Sequence, residues 1–383
     1  MTQEITEMLT PALDVGTGES GVLTAPEIEA SRREGHRFLP QLDGLRAIAI
    51  LLVLMNHMLD MKSPRAVAYL CSLGWIGVDV FFVLSGFLIT KILLSTEPGP
   101  RAFGLFVLRR VLRTWPLYFV VLIAAWLILR HDASGMQTNW LQHMFFLQNY
   151  TPWFITRTLA PTWSLCIEEH FYFIWPFFVF LLPRRALFWV LPVAFIALPV
   201  TRYWGMHQAF TFKQLYTETQ FHLDGLVAGS IVALLFSRYS IRPRMMSRIG
   251  LVCFVLGAGT AILGFRRNWD VIFGQNVVFG FTSLAVGFAG LLMLLLCDES
   301  SILVRVFSYR PLRYIGRISY GIYLLQDGLI SFLSRIPLHR VLGEAATSWM
   351  LIIPLRICFA IALAALSYRF FESPILRVKD RLR

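Results

Sequence analysis

GWIGVDVFFVLSGFLITKILL, residues 74–94, decides the fold: across the whole stretch only Asp79 and Lys91 are ionisable. At about 1.5 Å per residue, ~20 apolar residues in a helix cross the ~30 Å hydrocarbon layer of a bilayer. A membrane strand would need only ~9–11 residues and would alternate polar with apolar, which this stretch does not do. Lipid leaves backbone groups no outside partner, so helices and closed barrels are the available solutions, and a run this long excludes the barrel. Further apolar runs cover about 42–61, 115–129, 162–182, 186–203, 221–236, 249–264, 271–297, 318–333 and 349–370. The expected fold is all-α: a polytopic transmembrane helical bundle of about ten helices. The third run is the weakest span. The segment HMFFLQNYTPWF (143–154) is apolar too, but Pro152 and its short length mark it as an interfacial or re-entrant piece.

The composition agrees. The 383 residues are 56% hydrophobic and 15% charged, against ~25% charged in soluble domains. The net charge of +12 does not point to nucleic acid, because the basic residues sit in short loops between apolar runs. With the N-terminus inside, the inner loops carry more than twice as many Lys and Arg as the outer loops. This predicts a multi-pass protein of the inner (cell) membrane with both termini cytoplasmic. Residues 1–36 are polar, lack the basic start and apolar core of a signal peptide, and are expected to form a disordered cytoplasmic tail. Residues 37–383 form the transmembrane domain. The five cysteines show no CxxC spacing and read as buried thiols rather than a disulfide framework or a metal site.

Charges at membrane depth are costly, so each marks either a function or a buried pair. On the first helix, Arg46 and His57 are eleven residues apart. That is three turns plus about 20°, which puts both on one face, about 16 Å apart along the axis. Asp43 can pair with Arg46 from one turn away. On the fourth run, PTWSLCIEEHFYFIWP, the residues Ser164, Glu168, Tyr172 and Trp175 form one polar-aromatic stripe, while Glu169 points about 100° away. If the stripe faces His57, Glu168 holds the imidazole and supports its protonated form, as an orienter supports a general base. Asp79 and Glu168 both lie about 9 Å in from the outer surface. Asp224, Asp327 and Arg356 read as helix-gluing ion pairs. Arg109, Arg110 and Arg113 lie in the amphipathic stretch RAFGLFVLRRVLRTWP at the inner interface, suited either to anionic lipid or to a phosphate-bearing ligand.

Seven pieces in order resemble the Acyltransferase 3 family of bacterial-type integral membrane O-acyltransferases. They are QLDGLRAIAILLVLMNH, GWIGVDVFFVLSGFLITKIL, FVLRRVLRTWPLY, PTWSLCIEEHFYFIWP, FHLDGLVAGSIVALL, RISYGIYLLQ and YRFFESPI, and they span residues 41–375. The resemblance makes Arg46 and His57 the family's Arg-x10-His pair, Arg110 and Arg113 its Arg-x-x-Arg pair, and Ser164 and Glu168 its Ser-Leu-x-x-Glu element. It implies acyl-CoA, expected to be acetyl-CoA, as donor, held by Arg46, Arg110 and Arg113, with no metal. His57 and Glu168 become the catalytic candidates, acting by direct transfer or through an acyl-histidine. Asp79, Trp163, Ser164 and Tyr172 are the candidates that support the substrate. The implied acceptor is a hydroxyl of a glycan or lipid-linked sugar; the alternatives are a small secondary metabolite such as a macrolide, or a proton-coupled transporter in place of an enzyme. Expected partners are membrane lipids, the donor and the acceptor, with no nucleic acid. One departure is Gln326, where family members often carry His. No added hydrolase-like domain is expected after Leu376–Arg383, and against the resemblance this implies an enzyme that acts alone or hands over to a separate protein.

Overall fold

The computed structural model describes residues 39–57, 64–129, 139–151, 159–238, 243–266, 277–298, 300–333 and 349–381. The expected tail, 1–36, lies outside the described residues, as does the 152–154 end of the predicted interfacial piece. In chain order the helices are α1 (Pro40–His57), α2 (Arg65–Ser72), α3 (Ile76–Leu94), α4 (Pro100–Leu129), α5 (Trp140–Met144), α6 (Thr162–Leu181), α7 (Arg184–His207), α8 (Phe212–Thr217), α9 (Asp224–Arg238), α10 (Pro243–Arg266), α11 (Val277–Cys297), α12 (Ile302–Phe307), α13 (Arg310–Arg317), α14 (Ser319–Leu333), α15 (Trp349–Ser367) and α16 (Ser373–Arg381). A π-turn, Tyr368–Glu372, joins α15 to α16. No strand occurs among the described residues. All ten predicted runs are helical there.

Among the described residues, seven helical segments are long and apolar enough to cross a membrane: Arg65–Leu94, Pro100–Leu127, Thr162–Leu181, Arg184–His207, Pro243–Gly264, Val277–Cys297 and Met350–Val378. The other three predicted runs are α1, α9 and α14, which are short or carry more charge and are mostly buried inside the bundle. Lipid-facing positions recur at helical spacing on the outer helices. On α7, Trp189, Val193, Ile196 and Val200 are each more than 60% exposed and share one face. α10 presents Leu251, Val255, Ile262 and Leu263 in the same way. In water such a surface would be a very large apolar patch; in lipid it is the solvent-matched face.

The interior is set by close approach. A Cβ on Gly86 of α3 would fall 2.0 Å from the Leu226 carbonyl oxygen, and one on Gly229 of α9 would fall 2.0 Å from that of Val83. The two backbones therefore touch, as small residues permit in membranes, and this fixes the face α3 turns to α6. The amphipathic Arg stretch and the weak third span prove to be one continuous helix, α4, with Pro116 inside it. Glu169 ties this helix to α6, accepting from Thr114 Oγ1 at 2.9 Å and Trp115 Nε1 at 3.1 Å. Tyr320 on α14 donates to the Thr114 carbonyl at 2.5 Å. The cysteines are free, but only Cys71 and Cys166 are buried; Cys358 is exposed on α15, contrary to the expected burial. Arg202 falls near the end of the predicted run 186–203. It lies within α7 and is fully buried.

Candidate functional site

Where α1, α3, α4, α6 and α14 meet, they line a partly open cavity of about 90 Å³. Its polar lining comes from Arg46 (α1), Ser85 (α3), Arg110, Arg113 and Thr114 (α4), Ser164, Glu168 and Tyr172 (α6), and Ser319, Tyr320 and Tyr323 (α14). Three guanidinium groups thus face a single carboxylate. Among the described residues, Arg46 reaches one ion-pair partner, Asp43, at 4.0 Å. Asp43 is shared with Arg317 at 3.6 Å. The Arg110 guanidinium lies 5.8 Å from the ring centres of both Phe106 and Tyr172, within cation–π range. Its Nε is buried without a hydrogen-bond partner. Neither Arg110 nor Arg113 forms a salt bridge among the described residues. Cations held this way in low dielectric are poised for an anion.

The predicted stripe on α6 exists, but it faces α3 and α14. Glu168 Oε1 accepts from Ser85 Oγ at 2.5 Å, and Tyr172 OH donates to the same Ser85 oxygen at 3.3 Å. Trp175 Nε1 donates to Thr90 Oγ1 at 2.7 Å. Ser164 Oγ lies 2.6 Å from Tyr323 OH, and Tyr323 OH donates to the Pro161 carbonyl at 2.8 Å. Ser164 Oγ reaches the same carbonyl at 3.3 Å, so either hydroxyl can donate in the first bond. Ser164 and Tyr323 thus both line the cavity and join α6 to α14.

His57 is absent from the cavity lining and is not bonded to Glu168. Its Nδ1 lies 2.8 Å from Asp327 Oδ1 on α14. The expected His57–Glu168 partnership is thus corrected, because the α6 stripe is turned to Ser85 and the residue that reaches the end of α1 comes from α14. Asp327 accordingly pairs with His57 rather than with Arg356, whose Nε has no partner. Asp79 and Trp163 also lie outside the cavity lining. Asp79 is fully buried and bonded to His222 Nε2 at 3.0 Å, while His222 Nδ1 bonds the Tyr216 carbonyl at 2.7 Å. The His222 ring stacks on Phe281 at 3.9 Å and on Trp163 at 5.6 Å. Asp79 and Trp163 therefore belong to one aromatic-walled pair joining α3 to the segment before α9.

Asp224 fulfils the expected gluing role with a partner the sequence reading had missed. Arg202 holds it by two hydrogen bonds, of 2.6 and 2.9 Å, and spends its remaining donors on the Val278 and Phe221 carbonyls and on Thr282. Sequence reasoning also missed Ser85, Tyr320 and Tyr323 at the cavity. Tyr320, Tyr323 and Asp327 follow at i, i+3 and i+7, a one-face helical spacing that was available as a signal.

The sequence model of a family described as "Acyltransferase domain" matches residues 39–369. Among curated proteins, the peptidoglycan O-acetyltransferase OatA of Listeria monocytogenes is 29% identical over 91% of this chain and 57% of its own length. The putative peptidoglycan O-acetyltransferase YrhL of Bacillus subtilis is 28% identical over 90% of this chain and 56% of its own. For the O-acetyltransferase OatA of Staphylococcus aureus the figures are 28%, 88% and 57%. The chain thus spans a little over half the length of these relatives. No solved structure gives a significant match.

Proposed function

Since the chain belongs to the acyltransferase domain family, we propose that it is a membrane O-acyltransferase that moves an acetyl group from cytoplasmic acetyl-CoA to a hydroxyl of a cell-envelope glycan. The observation that carries this reading is the cavity itself: Arg46, Arg110 and Arg113 converge on it, and Glu168 is its one lining carboxylate. That charge balance suits the phosphates of a CoA head group, and forked guanidinium donors suit phosphate oxygens. The thioester arm then runs along the Ser85–Glu168–Tyr172 wall toward Ser164 and Tyr323. His57, beyond that end, serves as the base for the acceptor hydroxyl. The inner-membrane location with both termini cytoplasmic, read from the loop charges, puts the arginines on the side where CoA is made.

The acceptor class is supported by the relatives named as peptidoglycan O-acetyltransferases, which also favour an enzyme over a transporter. The test is transfer by the full chain in lipid nanodiscs, given acetyl-labelled acetyl-CoA and de-O-acetylated peptidoglycan. Label entering the glycan as a base-labile ester, with free CoA thiol released, is the expected result. Neither label transfer nor CoA release would overturn the reading.

A further inference from the structure

His57 ends α1, and its Nδ1 meets Asp327 Oδ1 at 2.8 Å. The aspartate side chain is 6% exposed and the imidazole 27%, so the carboxylate is the enclosed partner and the ring retains an open side. Among the described residues Asp327 has no other hydrogen-bond partner. We infer that Asp327, and not Glu168, is the positioning residue of the transfer: it accepts the Nδ1 proton of His57 and so leaves Nε2 as the working atom. The inference rests on the proposed role of His57.

Three observations carry it. An ionised carboxylate only accepts, so it selects the tautomer with hydrogen on Nδ1. Glu168 is engaged elsewhere, by Ser85, in a cavity it shares with the arginines. Finally, Asp327 is one helical turn beyond Tyr323, which lines the cavity. Residues at i and i+4 share a face, so the dyad stands about 6 Å further along α14 from the Tyr323–Ser164 contact. A thioester arm that extends beyond Tyr323 along α14 comes to His57. The acceptor O–H then gives its proton to Nε2 and its oxygen bonds the acyl carbon. The C–S bond breaks, and the thiolate leaves as CoA thiol with the proton returned from Nε2. Asp327 stabilises the imidazolium between those two events and does not take the proton.

The test compares His57→Ala, Asp327→Asn, Asp327→Glu and the double variant His57→Ala/Asp327→Asn. Each is the full chain in nanodiscs, assayed by CoA thiol release from acetyl-CoA with de-O-acetylated peptidoglycan and by acetyl-CoA affinity. Asp327→Asn is expected to lower kcat by roughly 10²–10⁴-fold, with KM and affinity for acetyl-CoA within about twofold. Asp327→Glu should recover part of that loss, and adding Asp327→Asn to His57→Ala should cost nothing more, since one unit is already broken. Wild-type turnover by Asp327→Asn beside an inactive His57→Ala would overturn the inference and leave the reading of His57 standing. Wild-type turnover by His57→Ala would instead remove the reading beneath it. If kcat and acetyl-CoA affinity fall together without recovery by glutamate, Asp327 is structural and the inference fails. Should Asp327→Asn not accumulate folded, Asp327→Glu decides alone. A kcat that is kept or lowered at unchanged affinity supports the assignment; an affinity that falls with kcat overturns it.

Discussion

One fully buried arginine and three half-buried ones lie among the described helices, and they differ in how their hydrogen bonds end. Arg202 is closed: its donors go to Asp224, two backbone carbonyls and Thr282, all within 3.0 Å. Arg46, Arg110 and Arg113 are open, facing a cavity with one carboxylate among them. At membrane depth both arrangements are costly, so both carry a purpose. The closed one is glue between α7, α9 and α11. The open one is where we propose that the acyl donor is held. The two His–Asp pairs repeat the contrast: His222–Asp79 is 0% exposed on both sides, while the His57 side chain is 27% exposed. Completeness of satisfaction, rather than the presence of charge, separates structure from site.

The largest effect that would break this comparison is on stability. Arg202→Met leaves Asp224 buried and unpaired, a loss of about 3–5 kcal/mol. Thermal unfolding in detergent should show a collapsed midpoint or no folded protein, with partial recovery when Asp224→Asn is added. A normal midpoint for Arg202→Met would mean the cluster is not the glue described. Next comes the open cluster. Each charge-assisted contact to an anion is worth about 1.5–3 kcal/mol, so Arg110→Ala/Arg113→Ala should weaken acetyl-CoA binding by at least roughly 100-fold while the unfolding midpoint stays near wild type. Unchanged affinity would make these arginines lipid anchors and dissolve the distinction.

The smallest effect concerns Gln326, an amide that is 0% exposed and has neither its oxygen nor its nitrogen bonded. Removing a buried, unpartnered polar group for an apolar one of similar size ranges from neutral to about 1 kcal/mol stabilising. Gln326→Leu should therefore keep or raise the unfolding midpoint. A clear drop would show that the amide is satisfied after all, moving it into the closed class.

Much of this was readable from the residues in order. The long apolar stretch 74–94 excludes barrel strands, and the ten runs became helices, because hydrocarbon imposes length and internal hydrogen bonding on each segment separately. Helical periodicity gave the Ser164–Glu168–Tyr172 stripe and the spacing of Arg110 and Arg113, since azimuth around a helix is a local property. Periodicity does not say which neighbour a face meets. That was decided by contacts far apart in sequence: the backbone approach of Gly86 and Gly229 turned α3 toward α6 and gave Glu168 to Ser85, and Asp327 came to His57 from 270 residues away. Arg202 is the sharpest case. Near the end of an apolar run a guanidinium that snorkels to water and one that is clamped inside read alike. Only packing against Asp224, Val278 and Thr282 resolved it, because the energy of a buried charge depends on partners that the local chain does not contain.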